Sequence, residues 1–596
     1  MPTSYTSEPF DHLPFGSPDK ARRYATERYV GAVGLNWYRC DPTLQSLMRR
    51  HLSADGLAWA EPHLDRVGAL MGGPIAKRAE LTDRNPPRLE KYDRWGHDIS
   101  QVVMPETFVA SKRDLVDNSF DTAEFRRAAT TAGAEVRPLT TAWSYMLNQA
   151  EIGMMCALGT GADMVVRLAE QFAPEDVKAR VRELAVGGAL LGEAAQMLTE
   201  RTGGSDLAML ETTATPNGDS YLLNGYKWFA SNANGAAFVV LAKPEGADDA
   251  TRGIAPFLVL LDRRDGGRNG VRIRRLKDKL GTKAVASAEV EFVDAEAFLL
   301  APSGTETADR GDGQAGDGRG LARMMEMTNG ARLGIAMMGL GCARRSLVEA
   351  LCYARARDAF GKPLAEHPLM QRKLAELIVD VEAAQLLVFD GYMHPMRISA
   401  PLIKLRAARL GITAASDAIE VHGGNGYIEQ WPVARILRDA QVNTVWEGPD
   451  NILCLDVRRA ILRDEAHLPL LDRMRRALAG APTGDDQTTG IVSDAVERAA
   501  AAVERWTTLD PPAAEARLYP LSQLLVDAYA GALLLEHAGW EAGAFGGDRK
   551  ALVARLYARD RLAHRDPLDA LSAPAEELDR FKDLWDGALT DERVTG

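Results

Sequence analysis

The chain has 596 residues, of which 46% are hydrophobic, and this length predicts several domains with apolar cores. Lys and Arg total 71 against 83 Asp and Glu, which gives a net charge of -12. An acidic chain lacks the broad positive field that non-specific nucleic-acid binding needs, although these totals leave room for a local basic patch.

Cysteine and histidine usage points to a cytoplasmic protein without a metal site. The five cysteines form no CxxC pair, which predicts reduced thiols. The ten histidines form no HExxH motif and join no cysteine cluster. Residues 1–19 are polar and Pro-rich, unlike a signal peptide. No apolar run reaches about 18 residues without a charge, so we expect no membrane-spanning segment.

The first part of the chain carries a mostly helical pattern, and we expect a helical N-terminal domain over residues 1–190. A turn-rich stretch at 82–98, which contains Asn85-Pro86-Pro87-Arg88, interrupts that pattern. Residues 143–159 are apolar on nearly all sides, as a buried helix would be.

The pattern then changes to short β-rich runs, which predict a central antiparallel β-barrel domain over residues 191–302. Strands are expected at 238–241, 256–261, 271–273 and 288–293. Asn217-Gly218 and Asn224-Gly225 are hairpin signals beside these runs. The fold class is therefore α+β.

Helical spacing returns after a Gly- and Asp-rich linker at 303–320. We expect a C-terminal four-helix bundle over residues 321–464, with a long central helix at 333–359 and further helices at 370–388, 401–421 and 449–462. Residues 465–596 hold 15 Lys and Arg against 23 Asp and Glu, a net charge of -8. They predict an acidic helical C-terminal extension.

The first segment with chemical potential runs from Met197 to Asp206. The adjacent Gly203 and Gly204 let backbone N–H groups approach an anion closely, and Ser205 adds a hydroxyl donor. Thr199 is placed to bond to a flat heteroaromatic ring. Taken alone, this segment is better interpreted as an ordinary Gly-Gly turn.

Three further segments are ambiguous when each is considered by itself. Phe229 and Ser231 share one face of a predicted strand, which suits stacking on a ring, but a core aromatic is the better interpretation. Arg357, followed by Phe360-Gly361, closes the long helix as a phosphate contact or as a plain cap. The glycines of His422–Tyr427 favour a pyrophosphate contact and a tight helix turn about equally.

The last segment is Trp446-Glu447-Gly448-Pro449, directly before a predicted helix. A carboxylate half-desolvated against the indole of Trp446 is expected to have a raised pKa, which suits a general base. The alternative is a glutamate stabilised by the helix dipole, and singly that alternative is favoured.

The order and spacing of these segments resemble the acyl-CoA dehydrogenase family across residues 190–465. The Met-Leu-Thr-Glu…Gly-Gly-Ser-Asp stretch resembles the flavin-binding loop of that family, and residues 418–448 resemble its C-terminal signature. Asn85-Pro86-Pro87-Arg88, Leu276–Gly281, Trp446-Glu447-Gly448 and the C-terminal extension are most similar to the AidB-like branch.

The resemblance implies a role for each matching residue. Glu447 falls on the catalytic base. The positions that fall on FAD contacts are Gln196, Met197, Leu198, Thr199, Gly204, Ser205, Phe229, Ser231, Gly423, Trp446 and Asn451. Arg357, Phe360 and Gly424 fall on positions that reach the FAD of a neighbouring subunit, and Ser205 and Arg332 fall on the CoA side. Pro368, Glu420 and Pro449 depart from the family's usual residues, which puts its adenine-end contacts in doubt.

The implied activity is α,β-desaturation of an acyl-CoA, in fatty acid metabolism. Glu447 takes the α-proton and the β-hydride passes to flavin N5, with an electron-transfer flavoprotein as the oxidant and a homo-oligomer, dimer or tetramer, as the assembly. The alternative is an AidB-like flavoprotein of the alkylation response bound to DNA, which ranks second because the extension is acidic. An oxidase or monooxygenase is a third hypothesis, against which Glu447 argues.

Overall fold

The computed structural model describes residues 29, 31–159, 162–186, 194–247, 251–302, 305, 316–564 and 574–593, so most of the predicted linker at 303–320 lies outside the described residues. The N-terminal region is helical, as predicted. Its helices are α1 (Pro42–His51), α2 (Ala54–Leu70), α3 (Ala76–Arg84), α4 (Glu106–Asp117), α5 (Ala123–Thr131), α6 (Val136–Ala150), α7 (Ile152–Gly159), α8 (Ala162–Phe172) and α9 (Glu175–Val186).

The N-terminal region differs from the prediction in one helix and in the turn-rich stretch. The buried helix expected at 143–159 is split at Glu151, whose backbone is extended and whose carboxylate accepts a hydrogen bond from the Gly153 N–H. The turn-rich stretch leads into a hairpin of β1 (Arg88–Tyr92) and β2 (Asp98–Val103). Lys91 fixes this hairpin to the β domain through the carbonyl of Ile273, 2.7 Å away.

The middle region is a seven-stranded sheet that closes on itself. Its strands are β3 (Ala194–Met197), β4 (Thr213–Asn217), β5 (Ser220–Ala230), β6 (Ala237–Pro244), β7 (Ala255–Leu260), β8 (Val271–Leu276) and β9 (Ala288–Leu299). The expectation of an antiparallel barrel needs correction, because β6 pairs in parallel with both β3 and β4. The remaining pairings are antiparallel, and β6–β7 closes the ring.

Only one of the two hairpin signals in this region forms a turn. Asn217-Gly218 joins β4 to β5, with Gly218 at φ +65°. Asn224-Gly225 lies inside β5 instead, where the pairing register shifts. A Cβ at Gly225 would lie 2.7 Å from the Thr212 Cα, so close packing explains this glycine.

The C-terminal region is a helical bundle whose first and third helices cross closely. Its elements are α10 (Gly320–Ala356), β10 (Asp358–Ala359), β11 (Lys362–Pro363), α11 (Pro368–Met393), α12 (Ser399–His422), α13 (Pro432–Ala440) and α14 (Asp450–Asp464). A Cβ at Gly339 of α10 would lie 2.4 Å from the Ala407 carbonyl oxygen, and one at Gly411 would lie 2.8 Å from the Gly339 carbonyl oxygen. Only glycine permits this approach of α10 to α12.

The C-terminal extension is helical and belongs to the same core as the bundle. Its helices are α15 (His467–Leu478), α16 (Asp486–Thr507), α17 (Pro511–Ala516), α18 (Leu518–Phe545), α19 (Arg549–Tyr557), α20 (Glu576–Asp579) and α21 (Phe581–Ala588). One continuous apolar cluster contains residues of the N-terminal region, the bundle and the extension. Buried Glu382 of α11 also pairs with Arg549 and Lys550 of α19.

Among the described residues, only α18 is long and apolar enough to span a bilayer by length and composition. In the fold, 72% of its most apolar window is buried. Its carboxylates Asp527 and Glu536 pair with Arg406 and Arg473 of neighbouring helices. Packing against the bundle therefore accounts for its composition.

Candidate active site

Glu447 lies in a short loop between α13 and α14, and its backbone is in an uncommon conformation. Its φ is +51° and that of Gly448 is +100°, so two successive residues are left-handed. A non-glycine residue at positive φ persists only where the surroundings hold it there. The contacts of this loop therefore explain how the side chain is presented.

Two buried cations hold the loop by its carbonyl oxygens. The ammonium of Lys404 on α12 donates to the carbonyls of Trp446 and Gly448, the latter at 2.6 Å. The guanidinium of Arg332 on α10 donates to the carbonyl of Glu447 at 3.2 Å. Lys404 is 0% exposed and Arg332 is 7% exposed. Three consecutive carbonyls are thus turned toward the bundle.

The carboxylate of Glu447 meets the β domain. Gln196, at the end of β3, donates from Nε2 to Glu447 Oε1 at 3.0 Å. Burial raises the pKa of Glu447 above its ordinary value, and the charges of Lys404 and Arg332 and the Gln196 hydrogen bond only partly offset that rise. The raised pKa expected from the sequence is confirmed, but its main cause is burial in general, with charged neighbours that the sequence did not indicate.

The predicted ring-side residues continue from the same strand. Met197 is buried, and Leu198 and Thr199 are half-buried as the chain leaves β3. The Thr199 carbonyl accepts a hydrogen bond from the Trp228 N–H at 2.9 Å, which places the end of β5 beside this segment. The structure therefore brings the two predicted flavin-contacting segments together.

A buried ion pair stabilises the turn at Gly203-Gly204. Glu200 pairs with Lys227 at 2.6 Å and also accepts from the Glu211 and Thr212 backbone N–H groups. A Cβ at Gly204 would lie 2.7 Å from Thr199 Oγ1, so the turn folds tightly against that hydroxyl. This ion pair was not predicted from the sequence, although a Glu and a Lys in adjacent β-rich segments were a usable signal.

Several polar groups along this surface are available to a ligand. Within the described part of the chain, the hydroxyls of Thr199 and Ser205 and the backbone N–H of Glu447 have no protein partner. Phe229 presents a ring that is 53% exposed. Ser231 bonds only weakly, to Ser287 at 3.3 Å. These donors and the half-exposed ring of Phe229, over which Lys277 Nζ lies 5.0 Å from the centroid, match what a flat heteroaromatic cofactor needs.

Other predicted residues lie at the opposite end of the bundle. Arg357 follows Arg332 by 25 residues along α10, which is about 37 Å at ~1.5 Å of rise per residue. Phe360 forms the tip of the β10–β11 hairpin at φ +53° and is 98% exposed. Gly423 and Gly424 follow α12 at this same end, where Asn425 bonds to the Tyr353 hydroxyl. One chain therefore does not bring these residues to its own Glu447.

Arg332 and Asn451 occupy different surroundings from those the resemblance implied. Besides the Glu447 carbonyl, the Arg332 guanidinium bonds to Asp456 at 2.5 Å and Asn329 at 3.1 Å. These contacts direct it to protein groups beneath the loop, so its CoA-side role stays a prediction. Asn451 is exposed on the first turn of α14, and Trp446 is half-buried.

Lys404 is the principal residue of this site that was not predicted from the sequence. It is the single charge in the apolar run Pro401–Leu405 at the start of α12. Such a lysine is usually interpreted as reaching solvent along its aliphatic stem. A position flanked by apolar residues on the buried face of a central helix was the available signal.

Similarity to known proteins agrees with this arrangement. Three family descriptions match: acyl-CoA dehydrogenase, C-terminal domain, over residues 318–462; acyl-CoA dehydrogenase, middle domain, over 195–295; and adaptive response protein AidB N-terminal domain, over 31–183. The AidB protein of Escherichia coli strain K12 is 30% identical over 460 residues, which cover 73% of this chain and 80% of that protein. The chain belongs to the acyl-CoA dehydrogenase family.

This acyl-CoA dehydrogenase family member is also similar to proteins of Caenorhabditis elegans. Acyl-CoA dehydrogenase family member 11 of Caenorhabditis elegans is 26% identical over 533 residues, or 84% of each chain. The crystal structure of Caenorhabditis elegans ACDH-11 in complex with C11-CoA has a TM-score of 0.79 at 24% identity and covers 93% of this chain and 95% of that one. At that identity the likeness shows the fold, which confirms the predicted fold class. The match to the AidB N-terminal domain and the relative from Escherichia coli confirm the predicted family branch.

Proposed function

We propose that this oxidoreductase is an FAD-dependent acyl-CoA dehydrogenase that desaturates an acyl thioester between Cα and Cβ, with Glu447 as the base. The observation that carries the proposal is the Glu447 carboxylate, bonded to Gln196 at the seam between the β domain and the bundle. Its raised pKa suits a group that takes a proton near neutral pH.

Glu447 contributes two groups to the reaction. Its carboxylate accepts the α-proton of the thioester. Its backbone N–H, which has no acceptor among the described residues, donates to the thioester oxygen, where negative charge develops as the proton leaves. Placing both groups on one residue fixes the distance between the proton acceptor and the oxygen donor.

The chain offers a coherent set of contacts for FAD. When bound, FAD supplies the acceptor for the β-hydride at its N5 atom. Thr199 and Phe229 would lie against its ring system and Ser205 would bond to a phosphate, while Met197 is fully buried in the core of the β domain. A solved structure of an acyl-CoA dehydrogenase from Bacillus anthracis complexed with FAD shares the fold, with a TM-score of 0.66.

We also propose that a second copy of the chain completes the cofactor site. Arg357 follows α10 and lies about 37 Å from Arg332, at ~1.5 Å of rise per residue, and Arg332 contacts the loop Trp446–Gly448, here called the base loop. Phe360 lies three residues beyond Arg357. Phe360 is almost fully exposed in one protomer. A homo-oligomer, dimer or tetramer, brings this end of one bundle to the base loop of another. The physiological oxidant in this proposal is an electron-transfer flavoprotein.

The test is anaerobic titration of the purified yellow protein with a panel of acyl-CoAs, measured by loss of flavin absorbance. Glu447→Gln should retain FAD and lose bleaching, while Glu497→Gln, an exposed glutamate of the extension, should behave like the parent. If Glu447→Gln is reduced as fast as the parent, Glu447 is not the base.

A second candidate function is DNA-associated alkylation response. The match to the AidB N-terminal domain and the Escherichia coli relative favour it. The extension carries a net charge of -8, which opposes it, because duplex binding depends on phosphate neutralisation. A gel shift at physiological salt separates the two candidates: tight, salt-sensitive duplex binding would reverse this ranking.

A further inference from the structure

A lysine buried beneath the base loop requires a physical explanation. Lys404 is fully shielded from solvent, and burial lowers the pKa of its ammonium to about 7. An ammonium in such a place destabilises the fold unless its donors are satisfied. Its acceptors are the carbonyls on either side of Glu447, those of Trp446 and Gly448. An apolar side chain would pack there without this cost, so the lysine has a role that packing does not supply.

The geometry of the peptide unit connects Lys404 to the reaction. The Trp446 carbonyl and the Glu447 N–H belong to one planar trans peptide, in which the two bonds point in opposite directions. A carbonyl fixed on Lys404 therefore turns the Glu447 N–H away from the bundle. The Gly448 carbonyl belongs to the next peptide but one, whose nitrogen is that of Pro449 and carries no hydrogen. The two hydrogen bonds from Lys404 therefore hold the backbone before and after Glu447.

We propose that Lys404 is a positioning residue for the desaturation, which aims the Glu447 N–H at the thioester oxygen and sets the charge environment of the Glu447 carboxylate. This inference rests on the proposed function. Lys404 touches neither substrate nor cofactor. It acts through the loop, by two hydrogen bonds and by the positive charge that it carries below its own pKa of about 7.

The charges that face Glu447 come from three helices. Lys404 projects from α12 and Arg332 from α10, and both lower the pKa of Glu447 against the rise caused by burial. Asp456 and Asp450 of α14 lie behind them, but Asp456 pairs with Arg332 and Asp450 with Arg409, at 2.5 and 2.6 Å. Removing the Lys404 charge therefore raises the pKa of Glu447 further. The acid limb of the pH profile should then move to higher pH.

The experiment compares three variants as holoenzymes with the parent. Lys404→Met removes both the donors and the charge at similar length. Lys404→Gln restores an amide donor without the charge. Lys550→Met is the matched control, since Lys550 is equally buried between α19 and α11 and its partner Glu382 keeps Arg549. Flavin content, thermal midpoint, kcat, KM and the pH profile of flavin reduction by acyl-CoA are measured for each.

Lys404→Met should keep FAD and a KM within about twofold of the parent, while kcat falls by about ten- to hundredfold, less than the loss of an oxyanion donor outright. Its acid limb should lie at higher pH. Lys404→Gln should regain part of kcat but keep the shifted limb. A parental kcat and pH profile in Lys404→Met, or equal losses in Lys550→Met, would overturn the role of Lys404. Fast reduction of Glu447→Gln would instead refute the proposed function.

Discussion

The division of the site between two ends of the bundle predicts complementation between inactive subunits. One variant, Glu447→Gln, loses the base but keeps Arg357 and the β10–β11 hairpin. The other, Phe360→Ala combined with Arg357→Ala, keeps the base but loses the contacts of Arg357 and of that hairpin. If each site combines the base loop of one chain with the hairpin of its partner, a mixed dimer contains one site in which both halves are intact.

The structure sets the expected magnitude. The two halves are separated by about 37 Å along α10, at ~1.5 Å of rise per residue, so a chain cannot supply both to one site. Random exchange of equal amounts makes about half of the dimers mixed, and each mixed dimer has one intact site of two. Activity should therefore recover to about a quarter of the parental level per site.

The assay is flavin bleaching by acyl-CoA after the two variants are unfolded together, refolded with FAD and compared with each variant treated alone. Each variant alone should remain inactive, and the mixture should show the recovered fraction. Two results would refute the reasoning. One is a mixture that stays as inactive as its components, and the other is a hairpin variant that retains full flavin and full rate as a dilute monomer.

Three further outcomes are expected. Because only the carboxylate accepts a proton, kcat/KM should fall as pH drops through the raised pKa of Glu447, and a limb at the ordinary carboxyl position would contradict this. Gly448→Ala should destabilise the protein by about 1–3 kcal/mol and slow the reaction, because Gly448 has φ +100° and a Cβ would lie 3.0 Å from Ile452 Cγ2. Thermal unfolding measures this loss, and an unchanged midpoint would contradict it. Lys227→Met should cost about 3–5 kcal/mol at neutral pH in denaturant unfolding, because it leaves Glu200 buried without its cation. Burial alone would raise the pKa of Glu200, but Lys227 holds it below its ordinary value. The ion pair therefore stabilises the fold above the pKa that Glu200 has in the unfolded chain, and this stabilisation is lost as pH falls through the lower pKa of the folded state. The difference in free energy of unfolding between Lys227→Met and the parent should accordingly become smaller at acid pH.

Local sequence patterns predicted the helices whose apolar residues recur at helical spacing. The helix expected at 401–421 is α12, Ser399–His422, because its apolar spacing matches one buried face. The hairpin of β1 and β2 was missed, because β1 alternates exposed with half-buried residues and the one buried residue of β2 is the polar Ser100, so neither strand has a continuous apolar face. Asn224-Gly225 looked like a turn, but tertiary packing against Thr212 places it within β5.

The residue types of the candidate site and the direction of the Glu447 pKa shift were predictable, but the contacts that set this pKa were not. The sequence placed Glu447 next to Trp446 and indicated a base with a raised pKa. It did not show that Gln196 would be the hydrogen-bond partner, since the two residues are 251 positions apart. Lys404 was missed for a related reason, because only the fold shows that its ammonium binds the carbonyls of Trp446 and Gly448.

The arrangement around Glu447 solves an electrostatic problem that a base beside cations would otherwise have. A direct ion pair with Lys404 or Arg332 would stabilise the carboxylate and lower its pKa, and would weaken it as a proton acceptor. In the described part of the chain, Glu447 forms no such pair, since both cations bind backbone carbonyls of its loop. The carboxylate itself receives one hydrogen bond, from a neutral amide.

This separation lets one pair of cations serve two purposes. Bound to carbonyls, they hold a left-handed backbone that would otherwise relax, and this keeps the N–H and the carboxylate of Glu447 in a fixed relation. At a distance from the carboxylate, they limit the rise of its pKa without abolishing it. A fully isolated carboxylate would stay protonated at neutral pH and accept no proton. A site with its base tuned between these limits needs buried cations that contact the backbone and not the base.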